Sequence, residues 1–210
     1  MEFCGGHTHA ILRYGIRDLL PSTVTLASGP GCPVCVTSPA DIDRIAALAR
    51  EPGTIIATYG DLVRVPGSTT SLQQVRARGG DIRVVYSALD ALEIASRNPE
   101  RTVVLAGIGF ETTAPTVAAT ILKAEGSGIQ NLRVLPMLKL TAPVMRALLS
   151  SGETRIDGII CPGHVSVITG TEPYEFIPRE FGVACAIAGF EPLDILEAVR
   201  SLSLQVKRAE

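Results

Sequence analysis

A chain of 210 residues that is 46% hydrophobic and 19% charged is long enough to bury one large or two small cores. Its formal net charge of -2 gives no basic field for a phosphate backbone, and 4% aromatic content without tryptophan offers few stacking platforms, so nucleic-acid binding is disfavoured. No run reaches the roughly 18 apolar residues that a membrane span needs, and no charged-then-apolar leader precedes the first motif, so the expected location is the cytoplasm.

The chain opens on "MEFCGGHTHA", an apolar strand-like start that runs into Cys4, Gly5, Gly6, His7 and His9. Two glycines strip bulk from the backbone and permit positive φ, so a thiol and imidazoles can crowd a bound atom close to the main chain. "THAILRYGIRDLL" then reads as an amphipathic helix ended by Pro21, with His9 as a capping or supporting group. "STVTLAS" is the second predicted strand, and "GPGCPVCVTSP" follows it. There Cys32 and Cys35 form a Cys-x-x-Cys pair braced by Pro30 and Pro33, just before a helix that Ser38 caps and Pro39 begins. Positive potential at a helix start favours thiolates, which suits disulfide exchange or metal ligation. Cys4-x-x-His7 with Cys32-x-x-Cys35 also has the spacing of a four-ligand zinc site. A proline-braced turn with incidental thiols is the plainer alternative.

"GTIIATY" and "DIRVVYS" are the next strands, separated by "GDLVRVPG" with Asp61 and Arg64, and Ser87 precedes the helical "ALDALEIASRN". "RTVVLAG" leads into "GFETTAP", which puts Glu111 near a strand end. A carboxylate there serves acid–base work, a metal or a partner's charge, or else caps the helix beginning near Thr112 and Thr113. After "NLRVLPM", the strand "DGIICPG" delivers His164 in a Pro-Gly frame, either as a ligand-facing imidazole or as a satisfied loop histidine. "GVACAIAG" is the last strand, "PLDILEAVRSLSLQVKRA" a long final helix, and Cys185 a small buried hydrophobe, with Cys161 less settled beside "PGH". No phosphate loop occurs.

Eight apolar runs alternating with helices predict an α/β protein of mainly parallel strands. Two similar open four-stranded domains facing a central cleft fit the length better than a barrel. The boundary is expected near "RNPER", giving residues 1–97 and 98–210, with "GFETTAP" and "GFEPLD" as a faint echo between halves. Open sheets of this kind bind ligands at the carboxyl ends of their strands, where nearly every unusual cluster falls.

Together "CGGHTHAI", "GPGCPVCVT", "GFETTAP", "PGHVSVITG" and "AGFEPLDIL" resemble, in order and over essentially the whole chain, the HypD family of nickel–iron hydrogenase maturation factors. The resemblance implies two similar α/β domains and an iron–sulfur subdomain. It further implies an assembly scaffold, rather than a stand-alone enzyme, that holds iron with the small chaperone HypC while the iron acquires two cyanides and a carbon monoxide, with HypE as the cyanide donor. Carried over by motif, Cys4 corresponds to an iron-ligating or partner-facing thiol with His7 beside it. Cys32 and Cys35 correspond to the redox thiol pair, and Glu111 and His164 to cleft residues of the reaction site. The family's cysteine-rich C-terminal segment, which carries the iron–sulfur cluster, and a leading helical segment are missing from this sequence, so a fragment or a short form without cluster binding is expected. A stand-alone thiol–disulfide oxidoreductase, or a metal-dependent enzyme using the same Cys/His cleft, is the competing reading.

Overall fold

The computed structural model describes residues 1–31, 37–153 and 155–208. The chain divides into a continuous unit, Pro33–Lys139, and a split unit made of Met1–Cys32 and Leu140–Glu210. Helix α1 (Gly5–Arg13) belongs to the split unit. The predicted helix around it breaks at Gly15, whose φ of 61° turns the chain into a short 3-10 segment, Ile16–Leu19.

The continuous unit runs α2 (Pro39–Leu48), β1 (Thr54–Tyr59), α3 (Leu72–Ala77), β2 (Asp81–Val85), α4 (Asp90–Arg97), β3 (Thr102–Gly109), α5 (Ala114–Gly126) and β4 (Leu132–Leu138). Its four strands are parallel in the order β2-β1-β3-β4. Both faces are covered, which is why the strands read as unbroken apolar runs rather than alternating ones. Ile56, Val104, Ala106 and Ile108 pack on one side with Ile42, Ile45 and Leu72. Ile55, Ala57, Val103 and Leu105 pack on the other with Ala91, Ala95 and Val117. Ser38 caps α2 as expected, accepting from the Asp41 N–H at 3.1 Å. Ser87 instead accepts from the Leu89 N–H at 3.2 Å, and α4 begins later, where the Asp90 carboxylate takes the N–H groups of Tyr86 and Ser87.

The expected boundary between residues 97 and 98 falls inside this unit, because β3, which follows it, pairs with both β1 and β4. The "RNPER" turn is tied into the sheet by Asn131, whose amide donates to the carbonyls of Ala95, Asn98 and Arg101 at 3.0, 2.9 and 2.9 Å. Proline and asparagine make the segment look like a linker, but a distant side chain holds it.

The split unit continues with α6 (Thr141–Ser150), β5 (Gly158–Pro162), α7 (Gly163–Thr169), α8 (Phe176–Phe181), β6 (Ala184–Ala188) and α9 (Pro192–Arg208), the predicted long final helix. Its sheet is a parallel pair, β5-β6, not the four strands expected. The predicted strands "MEFC" and "STVTLAS" survive only as parallel bridges of Glu2 to Ile160 and to Ser28. Backbone bonds from Glu2 N–H to Ala27 and from Phe3 N–H to Ile160 continue that pairing. Ile160 faces α1 and α9 with Ala10, Ile11, Ile195 and Val199, whereas Ile159 and Cys161 face Phe3, Met145, Tyr174 and Ile177.

Candidate functional site

In the split unit the first and last motifs meet the "PGH" motif on one ring, Phe190. The His7 and His164 rings lie against it with centroids 4.8 and 5.5 Å away, tilted by 42° and 43°. Two glycines allow this closeness. A Cβ on Gly6 would sit 2.9 Å from the Phe190 ring, and a Cβ on Gly163 only 2.5 Å from the Ala188 carbonyl oxygen. The glycine frames read in the sequence are therefore close-approach positions between elements far apart in the chain.

His7 is fully buried. Its Nε2 lies 2.9 Å from the Gly189 carbonyl and 3.2 Å from that of Ala188. Carbonyls only accept, so Nε2 donates to them, which leaves Nδ1 as the ring's other nitrogen. That nitrogen is buried and has no hydrogen-bond partner among the described residues. An imidazole anchored through N–H to a backbone carbonyl with its other nitrogen open is the arrangement seen in metal-ligating histidines.

Cys4 occupies the position just before α1 and is 4% exposed, more buried than a glycine-framed strand end suggests. Its surroundings are polar on one side. Glu2, only 1% exposed, accepts from the Cys4 N–H at 3.0 Å and from the Thr8 hydroxyl, so a carboxylate sits at the start of α1, where the helix field favours negative charge. Glu2 and Phe190 were not among the residues singled out from the sequence. A glutamate inside an apolar strand was the available signal for the first, and the Gly-Phe-Glu echo of "GFEPLD" for the second.

Of the other sequence candidates, Cys32 and Cys35 lie outside the described residues. Glu111 belongs to the continuous unit, half-buried in the turn between β3 and α5. Asp61 and Arg64 are exposed on the 3-10 turn after β1. At the carboxyl ends of β1 and β3, where the strand order switches direction, Asp61, Tyr86, Ser87, Gly109, Thr112 and Thr116 line a cavity of about 380 Å³. Among the described residues no group of three or more His, Cys, Asp or Glu side chains is arranged to hold a metal ion. None of their helices is long and apolar enough to cross a membrane.

Fold and site define a parallel α/β protein whose glycine-framed cysteine and histidine motifs converge at strand ends. The HypD family model, described as "Hydrogenase formation hypA family", matches residues 1–210, and the chain belongs to that family. It is 51% identical to hydrogenase maturation factor HypD2 of Bradyrhizobium diazoefficiens, over 98% of this chain and 56% of that protein. It is 52% identical to HypD of Rhizobium leguminosarum bv. viciae, covering 98% of this chain and 55% of the relative. With HypD of Escherichia coli K12 the identity is 47%, over 98% and 55% respectively. The chain thus spans a little over half the length of these curated relatives.

Proposed function

We propose that this chain supplies the α/β portion of a hydrogenase maturation factor and offers Cys4 and His7 as donors to iron that is being furnished with cyanide and carbon monoxide. The reading assigns the remaining ligands to a HypC-type chaperone and to the Cys32–Cys35 segment, and cyanide delivery to a HypE-type donor. The observation that carries it is His7: an imidazole anchored by two backbone carbonyls, whose Nδ1 is buried without a hydrogen-bond partner among the described residues. Iron carrying cyanide is a soft centre, suited to thiolate and imidazole in a site that excludes water. Glu2 holds the backbone turn that presents Cys4, and the Phe190 ring packs against both His7 and His164.

The names of the relatives support the hydrogenase context. Iron analysis of anaerobically isolated protein, alone and with the HypC-type chaperone, tests the shared site. Stoichiometric iron only in the complex is expected; full iron occupancy in the isolated protein, unchanged by the chaperone, contradicts it.

A further inference from the structure

Two cysteines that the proposed function leaves unused face each other across the β5-β6 pair. Cys161 stands opposite Ile187 in the parallel register, so Cys185 is two residues away along β6, and the two-residue period puts both side chains on one face of the sheet. That face is the one packed by Met145, Tyr174 and Ile177. The sulfurs are 3.3 Å apart. Cys161 is fully buried, whereas Cys185 lies on the outer strand and is partly open, lining a cavity of about 600 Å³ with Leu193, Asp194 and Ser201. The backbone at Cys185 is held on its outer side by Gln205, which accepts from its N–H and donates to its carbonyl, both at 3.2 Å.

We propose that Cys161 and Cys185 are a second redox site, a dithiol that closes reversibly to a disulfide by exchange with a small-molecule disulfide. Their roles differ. Either sulfur can donate in the contact between them, and exposure separates the two: Cys185 is partly open on the outer strand, whereas Cys161 is fully buried, and the contact, with burial, pushes the Cys161 thiol well up while lowering that of Cys185. Cys185 is therefore the attacking thiolate and Cys161 the resolving thiol. In the first step the Cys185 sulfur bonds to one sulfur of the small disulfide, whose S–S bond breaks and releases one thiolate. In the second, Cys161 gives up its proton to that thiolate as its sulfur attacks Cys185, and the second small thiolate leaves and takes up a proton from water. Two protein thiols are oxidised and one small disulfide is reduced to two thiols.

The bond would tie β5 to β6 just before the residues that carry His164 and hold His7. Pro162 and Gly163 lead from Cys161 to His164, and Ala188 and Gly189, beyond Cys185, carry the carbonyls that hold His7. This inference rests on the sheet geometry and stands whether or not the chain handles iron.

The test treats the intact protein with oxidised glutathione, alkylates what remains and maps the peptides by mass spectrometry. The expected product is a Cys161–Cys185 crosslinked peptide that dithiothreitol opens. Cys161→Ala should stop at a glutathione adduct on Cys185, and Cys185→Ala should leave Cys161 unmodified. Circular dichroism on each variant confirms folding, and the unsubstituted protein decides the matter if a variant does not fold. Full alkylation of both Cys161 and Cys185 after treatment, or a crosslink of either one to Cys4, Cys32 or Cys35 instead, overturns the proposal.

Discussion

The two units use parallel β-structure for opposite ends. In the continuous unit four strands are sandwiched on both sides, and among the described residues its buried polar side chains are threonines, Thr58, Thr70 and Thr120, of which Thr120 donates to the Thr116 carbonyl at 2.7 Å. In the split unit the sheet shrinks to two strands with single-residue bridges, and the interior takes in a glutamate, a histidine and the thiols of Cys4 and Cys161. A regular sheet leaves little room for buried titratable groups, because each must find partners away from a backbone already fully paired. A truncated one, finished by loops and helix ends, supplies those partners. The buried titratable residues therefore gather where the sheet is least complete.

Mutations should separate these regimes. The largest loss is expected from Leu105→Ala in β3, fully buried among Val103, Ala95 and Val117, at about 2–5 kcal/mol from lost burial and an unfilled cavity, read by chemical denaturation. A loss below about 1 kcal/mol would mean that this sheet is less tightly packed than the comparison requires. Glu2→Ala comes next. It strands the buried Cys4 N–H and the Thr8 hydroxyl, and a cost of about 1–3 kcal/mol is expected, with Glu2→Gln recovering part of it. A neutral Glu2→Ala would show that the split unit does not depend on its buried polar contacts.

The smallest effect belongs to a partly exposed network of the continuous unit. Arg83 grips Asp81 through two hydrogen bonds of 3.0 and 2.9 Å, and Arg101 adds a third at 2.7 Å. Arg83 first, then Arg101, holds the Asp81 carboxyl below its ordinary 3.8. A carboxyl lowered by folding adds stability above its unfolded value and gives it up as pH falls through the folded one. Asp81→Asn should therefore cost about 1 kcal/mol or less at neutral pH, and its melting curve should converge with that of the parent below pH 3.8. A gap that persists or widens in acid would contradict the assignment.

Much of this was legible in the sequence. "RTVVLAG" and "GTIIATY" announce strands covered on both faces, and the Gly-Gly and Pro-Gly frames mark His7 and His164 because a bare backbone is needed where Gly6 meets the Phe190 ring and Gly163 the Ala188 carbonyl. What was not legible depends on partners distant in the chain. The "RNPER" turn looks like a boundary until Asn131 binds it, and "STVTLAS" looks like a strand although Glu2 is its single bridge partner. Cys185 reads as a bystander in an apolar run because only the β5-β6 register brings it to Cys161.

The central claim is that the Cys4–His7 motif serves bound iron rather than the fold. Infrared spectroscopy of the anaerobically co-purified complex with the HypC-type chaperone, in the cyanide and carbon monoxide stretching region, tests it with Cys4→Ala and a thermal melt alongside. The account predicts that the bands disappear while stability falls by only about 1 kcal/mol. Undiminished bands in Cys4→Ala, or lost bands together with a collapsed melting temperature, would contradict it.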